Sequence, residues 1–177
     1  IFFLLGDNSN SIEGIVSPSS VIYRSMDSGT TFTKTSLGEG TITEGRFVKK
    51  TLYIVLQNKV FENSKPIINT TIYQSKDFGE TWEKVAFFEN TEIDKIYFYT
   101  EKIGIARFYD RTNETSQYKY TSDGGVSWHT AKGLIKTEYD PLANGWFKSE
   151  NEIYYMTDNG FLKSFNLTKE DSFQVVK

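Results

Sequence analysis

The chain has 177 residues, of which 38% are hydrophobic and 24% charged, a composition typical of a globular domain with its own core. Its 20 basic and 23 acidic residues leave a net charge of −3 with no basic stripe, which argues against nucleic-acid binding, and no apolar run is long enough to span a membrane. The absence of cysteine excludes disulfides and thiolate metal sites. Aromatic residues, at 16%, favour an all-β fold because they suit the half-buried faces of strands.

The chain opens on an apolar run at residues 1–5, which fits either the end of a signal peptide or a strand. The run aligns with residues 52–56, which precede the second copy of an internal repeat. This alignment favours the strand.

Three segments repeat one pattern: a hydroxyl residue, any residue, Asp, any residue, Gly, any residue, a hydroxyl residue and an aromatic residue. They start at Ser25, Ser75 and Thr121, which are 50 and then 46 residues apart, and each follows a short alternating segment. The pattern predicts two strands joined by a tight turn. Its members are Ser25, Asp27, Gly29, Thr31 and Phe32; Ser75, Asp77, Gly79, Thr81 and Trp82; and Thr121, Asp123, Gly125, Ser127 and Trp128.

The chemistry of such a turn explains these residue types. The Asp carboxylate can accept hydrogen bonds from backbone N–H groups a few positions on, and Gly takes up a positive φ without steric cost. The hydroxyls tie the flanks of the turn, and the closing aromatic residue is expected to pack between neighbouring sheets, contributing about 1.5–3 kcal/mol by burial. The turn is therefore predicted to be a structural clasp and not a calcium site.

This pattern resembles the Asp-box, or bacterial neuraminidase repeat, of sialidases, sortilin-type receptors, xyloglucanases and photosystem assembly factors. The resemblance implies an all-β, β-propeller-like fold of about four blades of antiparallel strands, with the Asp-box turns between third and fourth strands. The blades would form a small closed ring or part of a larger propeller. An open β-sandwich with repeated hairpins is the alternative.

The repeat frame divides the chain, taken as one domain over residues 1–177, into four blades. The first blade lacks its first strand, and the fourth has lost the clasp, with residues 169–172 where a box would stand. The blades are placed at about 1–36, 41–87, 92–132 and 143–177. The strands of the second are placed at 42–48, 52–57, 68–75 and 81–87; of the third at 93–99, 104–109, 117–122 and 127–131; and of the fourth at 145–147, 153–156, 161–165 and 173–176.

The residues of a sialidase site are not recognisable. Such an enzyme needs three converging arginines and a set of catalytic carboxyl and tyrosine groups. The chain has only four arginines, which form no recognisable triad: Arg24, Arg46, Arg107 and Arg111. Glu44, Asp94 and Asp110 are carboxylates of a kind any chain of this length carries, and His129 is expected at a solvent edge. No catalytic residue, metal or cofactor is assigned.

The resemblance also implies that ligands bind at the loops after second and fourth strands, on the face opposite the boxes. These loops include 7–20, 58–67, 110–116 and 133–144. Residues on or next to them that are expected to bind a partner are Phe61, Ile67, Asp110, Arg111, Tyr139 and Trp146. For Trp146, a place in the core of a first strand is favoured, and partner binding is the alternative.

A protein partner is the leading expectation, in the bacterial periplasm or at the cell surface, where the chain would be an inhibitory immunity protein or an assembly protein. Carbohydrate is the alternative ligand, for a binding module or a glycosidase-like lobe of a larger sialidase-type protein. A fragment of a sortilin-like receptor is the third interpretation.

Overall fold

A computed structural model describes residues 2–12, 15–63, 65–132, 140, 142–143, 145–156, 162–169 and 174–175. The described part is all-β, built from antiparallel sheets without an α-helix, which confirms the predicted class. Contacts divide the chain into two compact units, Ile1–Glu92 and Ile93–Lys177.

The first unit holds two sheets whose strands follow one another in chain order. Sheet 1 has three strands: β1 (Phe2–Ile12), β2 (Ile15–Ser25) and β3 (Thr33–Glu39). Sheet 2 has four: β4 (Thr41–Val48), β5 (Thr51–Glu62), β6 (Lys65–Ser75) and β7 (Glu83–Phe88). The apolar opening of the chain is thus a strand, and it pairs with β2 from end to end.

The second unit contains two further four-stranded sheets in chain order. Sheet 3 consists of β8 (Thr91–Phe98), which starts at the unit boundary, β9 (Gly104–Asp110), β10 (Thr115–Thr121) and β11 (His129–Thr130). Sheet 4 consists of β12 (Gly145–Ser149), β13 (Glu152–Met156), β14 (Leu162–Asn166) and β15 (Gln174–Val175).

Burial follows the hydrophobic pattern of each strand. In β5, the run from Thr51 to Leu56 is buried throughout, as expected for a strand paired on both sides and covered on both faces. In β8, Ile93, Ile96 and Phe98 are buried, whereas Asp94 and Tyr97 are exposed. One cluster forms a core of the second unit: Ile105, Ala131, Phe147, Ile153, Tyr155 and Leu167.

Within the first unit, sheet 1 packs on sheet 2 through β1 and β4. The Phe3 and Phe47 rings lie 6.0 Å apart, and Leu5 Cδ1 lies where a side chain at Gly45 would project. Arg24 Nη1 donates to the Phe78 carbonyl at 3.4 Å, in the turn that closes sheet 2. Sheet 1 is therefore held against both the first strand and the turn of sheet 2.

The segments expected as loops 7–20 and 58–67 are largely paired hairpin strands, which corrects that part of the prediction. In sheet 2 the ladder continues through Val60↔Ile67, Phe61↔Pro66 and Glu62↔Lys65. Branched and aromatic side chains favour the extended conformation there. β4 pairs only as far as Gln57 and β7 only as far as Thr70, so residues 58–62 and 65–69 form a two-stranded projection, here called the arm.

Candidate functional site

The three repeated turns share one hydrogen-bond network. In the second, the Ser75 hydroxyl donates to Asp77 Oδ1 at 2.8 Å and accepts the Gly79 N–H at 2.7 Å. Asp77 in turn accepts the Thr81 N–H at 2.9 Å and the Thr81 hydroxyl at 2.5 Å. The same four bonds join Ser25, Asp27, Gly29 and Thr31 in the first turn and Thr121, Asp123, Gly125 and Ser127 in the third.

The turn requires a left-handed backbone at its glycine. Gly29, Gly79 and Gly125 have φ of 89°, 80° and 93°, and the residue before each glycine also has a positive φ. A Cβ on Gly79 would additionally lie 2.6 Å from Phe3 Cε1, so this glycine is a packing surface for sheet 1 as well. Both the backbone conformation of the turn and the packing of sheet 1 on sheet 2 therefore require glycine at position 79.

Two of the three closing aromatic residues, Phe32 and Trp128, differ from the expectation of packing between sheets. Trp128 packs edge-on against Phe98 and Phe108 of its own sheet and donates its indole N–H to the Gly125 carbonyl at 2.9 Å. Trp82 is half-buried. Phe32 is exposed, so the prediction is wrong for that residue, whose ring edge lies beside its own turn at Gly29.

The pKa values of the clasp carboxyl groups are lowered because their ionised forms accept several hydrogen bonds. The hydroxyl and N–H of Thr31, with the Ser25 hydroxyl, lower the pKa of Asp27 to about 2. Thr81 chiefly lowers the pKa of Asp77 in the same way. Partial burial works against ionisation of Asp123, but its bonds from Ser127 and Thr121 prevail and bring its pKa to about 2.

These shifts predict acid sensitivity of the turns. Because the folded-state pKa of Asp27 lies below its ordinary value of 3.8, the stabilisation is fully present above that value and is lost as the pH falls toward about 2. Between about pH 5 and about pH 2.5, the urea midpoint of unfolding should decrease strongly for the native chain. It should decrease less for Asp27→Asn, because asparagine cannot ionise. Parallel falls would contradict the assignment.

The arm carries the first two of the residues predicted to bind a partner. Phe61 is 67% exposed, and the Lys59 ammonium lies 5.3 Å from its ring centroid. Ile67 is half-buried and pairs with Val60 on the facing strand. Both lie at the end of sheet 2 opposite its clasp.

Trp146 lies on β12 but is exposed, so the favoured place in the core is wrong. The buried residue of β12 is Phe147, and the Trp146 ring packs edge-on against Tyr154 at 6.2 Å. Successive side chains of a strand point to opposite faces, and in β12 it is Phe147, one residue further on, that points into the core. Tyr139 lies outside the described residues.

Asp110 is the last residue of β9, and Arg111 begins the turn to β10. Asp110 accepts the backbone N–H groups of Thr112 at 2.8 Å and Asn113 at 3.2 Å, and the Asn113 amide at 2.8 Å. The Asn113 bonds chiefly lower the pKa of Asp110. Asp110 therefore holds its own turn, and the adjacent Arg111 is exposed.

The groups weighed for catalysis are engaged with neighbours. Glu44 forms an ion pair with Arg46 at 2.9 Å, and Asp94 forms a bidentate pair with Arg107. His129 is exposed on β11 beside the Tyr120 ring. Within the described ranges, no cluster of three or more His, Asp or Glu side chains could hold a metal ion.

Sequence reasoning missed a polar cluster around Asp140, here called the Asp140 network. Asp140 accepts hydrogen bonds from Lys95 Nζ at 2.8 Å, Arg107 Nη1 at 3.0 Å, the Tyr118 hydroxyl at 3.0 Å and the Leu142 N–H at 2.9 Å. The three side-chain donors are 45, 33 and 22 residues away in sequence. No local sequence pattern predicts that these side chains converge on Asp140.

The Asp140 network is electrostatically matched. Burial raises the pKa of Asp140, but the bond from Lys95 and the other donors outweigh burial and leave the pKa low. Asp94 chiefly raises the pKa of Arg107, and burial, assisted by Asp140, raises that of Tyr118. Asp94 and Asp140 face Lys95 and Arg107, so the network holds Asp140 against sheet 3.

Beside the network, Leu142 borders a shallow apolar groove that Ile105 and Ile153 also line. Exposed Tyr97 and Trp146 flank it, and Phe147 lies in its floor. Tyr97 and Tyr99 stack on Phe147 with centroids 5.7 and 5.2 Å away. The groove is therefore bordered by partly exposed aromatic side chains.

Among the described residues, no helix has the length and apolar character needed to cross a membrane. Comparison with known proteins adds no identity: no protein-family model matches the chain, and no curated protein matches its sequence.

Proposed function

We propose that this chain is a non-catalytic, β-propeller-type binding module that recognises a protein partner. Four successive antiparallel sheets, three of them closed by the same turn, support the propeller assignment. The engagement of Glu44, Asp94 and Asp110 with neighbouring groups favours binding over hydrolysis. The same proposal includes an inhibitory or assembly role in the bacterial envelope or outside the cell.

The observation that carries this proposal is the exposure of Phe61 on the arm. A single exposed apolar residue is ordinary on a protein surface, but Phe61 is 67% exposed on a hairpin that projects beyond the neighbouring strands. The Lys59 ammonium lies over the Phe61 ring, and the next pair of the ladder, Glu62 and Lys65, is also charged and exposed. Exposed aromatic anchors beside charged side chains are typical of protein-binding surfaces.

The base of the arm is fixed, which favours binding without a large ordering cost. Asn69 Oδ1 accepts the Asn90 N–H at 3.1 Å, and the buried Thr70 hydroxyl donates to the Thr91 carbonyl at 2.6 Å. These bonds tie the arm to the connection that follows β7. A surface held in its binding conformation loses less entropy when a partner docks.

A pair of matched variants tests the proposal. Phe61→Ser removes the anchor, whereas Phe87→Ser removes a half-exposed phenylalanine on β7, away from the arm, that also has a lysine ammonium over its ring. Partners retained from a lysate of the native host are identified by mass spectrometry and their affinities measured on the purified pair. We expect Phe61→Ser to weaken the main partner at least about thirtyfold, as at a binding hot spot, and Phe87→Ser to change it less than about threefold.

Equal effects of the two variants, or no specific partner, would contradict the protein-binding proposal. Both variants must first give the native circular dichroism spectrum.

The exposed aromatic groove in the second unit favours carbohydrate as the second candidate ligand. Tyr97 and Trp146 line it and Tyr99 lies beside it, and all three are exposed aromatic side chains, the residue type on which the C–H faces of sugar rings stack. Retention on a glycan array that survives Phe61→Ser and is lost in Trp146→Ala would replace the protein-binding proposal with this one.

A further inference from the structure

The arm is a narrow, two-stranded hairpin. Its five ladder pairs join residues 58–62 to residues 65–69, which gives it a length of about 16 Å at about 3.3 Å per residue. Two residues separate Glu62 from Lys65, and the first of them, Asn63, has a left-handed φ of 49° that suits a tight reversal. A projection of this shape offers little flat area and fits best into a concave surface.

Apolar side chains lie on both faces of the arm. Successive residues of a strand point to opposite faces, and residues paired across the ladder share a face. One face therefore carries the exposed pair Phe61 and Pro66, and the other carries the half-buried pair Val60 and Ile67. A flat partner surface would cover only one of these faces, whereas a cleft with two walls covers both.

The tip of the arm is charged, which favours a protein cleft over a lipid surface. Glu62 and Lys65 are exposed and directly opposed at the outermost pair, and Lys59 is exposed beside Phe61. A bilayer would also cover both faces, but only by carrying the tip charges into an apolar layer at high cost. Two lysines against one glutamate make the arm positive in a chain of net charge −3, so an acidic rim complements it.

We propose that the arm inserts into the substrate cleft of a partner enzyme with an acidic rim, whose walls cover both apolar faces. The inference rests on the proposed function and names the chemistry of the partner. Substrate clefts are concave, mostly apolar in their walls and polar at a few positions, which matches two apolar faces and a charged tip. The bonds of Asn69 and Thr70 hold the base of the arm, so it enters preformed. An occupied cleft excludes the substrate.

Single cysteines test whether both faces are covered, because the chain contains no cysteine of its own. Ile68→Cys places a thiol on the face of Phe61, and Ile67→Cys places one on the opposite face. Both replaced side chains are half-buried, so the variants are matched, and Phe87→Cys on β7 is the control outside the arm. The probe is iodoacetamide, applied to the free chain and to its complex with the main partner retained from the lysate. On binding, alkylation should slow at least about tenfold at both arm positions and less than about twofold at position 87.

Inhibition of the partner gives a second, independent readout. The native chain should inhibit the identified enzyme competitively with its substrate, and Ile67→Ser should weaken this inhibition at least about tenfold, although position 67 lies on the face opposite Phe61. Lys65→Glu should slow association at least about fivefold at low salt, a difference that about 0.5 M NaCl removes. Every variant must first give the native circular dichroism spectrum.

The results separate this inference from the proposed function. Protection at only one arm position, a partner that is not an enzyme, or inhibition that is not competitive overturns the cleft inference and leaves the protein-binding proposal standing. The absence of a specific partner overturns both. Slow alkylation of both thiols in the isolated chain overturns the inference in favour of a second copy if dilution restores the rate, and of cover by this chain itself if it does not. Protection of both thiols by phosphatidylserine–phosphatidylcholine vesicles alone replaces the enzyme with a lipid surface.

Discussion

Replacing Gly79 with alanine is expected to lower the free energy of unfolding of the first unit by about 3 kcal/mol, from two independent costs. The backbone at Gly79 has a φ of 80°, which costs an L-residue about 1–2 kcal/mol. The new Cβ would also lie 2.6 Å from Phe3 Cε1 and 3.1 Å from Cζ, which forces the ring to move. Overpacking of this kind costs about 1–3 kcal/mol.

Gly29→Ala supplies the matched control, because it changes the same position of the first turn. Its φ is 89°, and the nearest atom to a new Cβ is Phe32 Cζ at 3.9 Å, so only the backbone cost of about 1–2 kcal/mol applies. Urea unfolding near pH 7, followed by circular dichroism and by exchange of β1 amides, measures both variants. Equal losses would show that sheet 1 does not pack on this turn as tightly as the structure has it.

Much of the strand arrangement could be predicted because its determinants are local. Each clasp sets the end of one strand and the start of the next through residues within four positions of its Asp, as the bonds from Ser75 and Thr81 to Asp77 show. Counting outward from these turns placed β4 at 42–48, against Thr41–Val48 in the structure, and β9 at 104–109, against Gly104–Asp110. The fourth sheet, without a clasp, was placed by alternation alone.

What the sequence could not predict depends on distant neighbours. Trp146 and Phe147 are both good strand residues, and only packing on Tyr97 and Tyr99 decides that Phe147 is the buried one. The arm was expected as a loop because no sequence rule says where a hairpin ladder stops. The Asp140 network joins side chains that are unrelated by any repeat.

Removing the Asp140 carboxylate by Asp140→Ala is expected to destabilise the second unit by about 2–3 kcal/mol. The variant leaves Lys95 and Arg107 half-buried without their shared acceptor, and the Tyr118 hydroxyl and the Leu142 N–H lose theirs. The loss stays below that of a fully buried ion pair because water can reach both cations. Freed from sheet 3, the connection before β12 should also exchange its amides faster.

Two further variants show whether this effect comes from the network. Asp140→Asn keeps an oxygen for Tyr118 and Leu142 but loses the charge that faces Lys95 and Arg107, so we expect about half the loss. Asp110→Ala removes a carboxylate with three hydrogen bonds confined to its own turn and should cost less than either. Unfolding in urea, followed by hydrogen exchange of residues 104–156, measures all three. If Asp110→Ala lowered the free energy of unfolding as much as Asp140→Ala, the loss of any turn carboxylate would explain the result. The Asp140 network would then have no special role in stability.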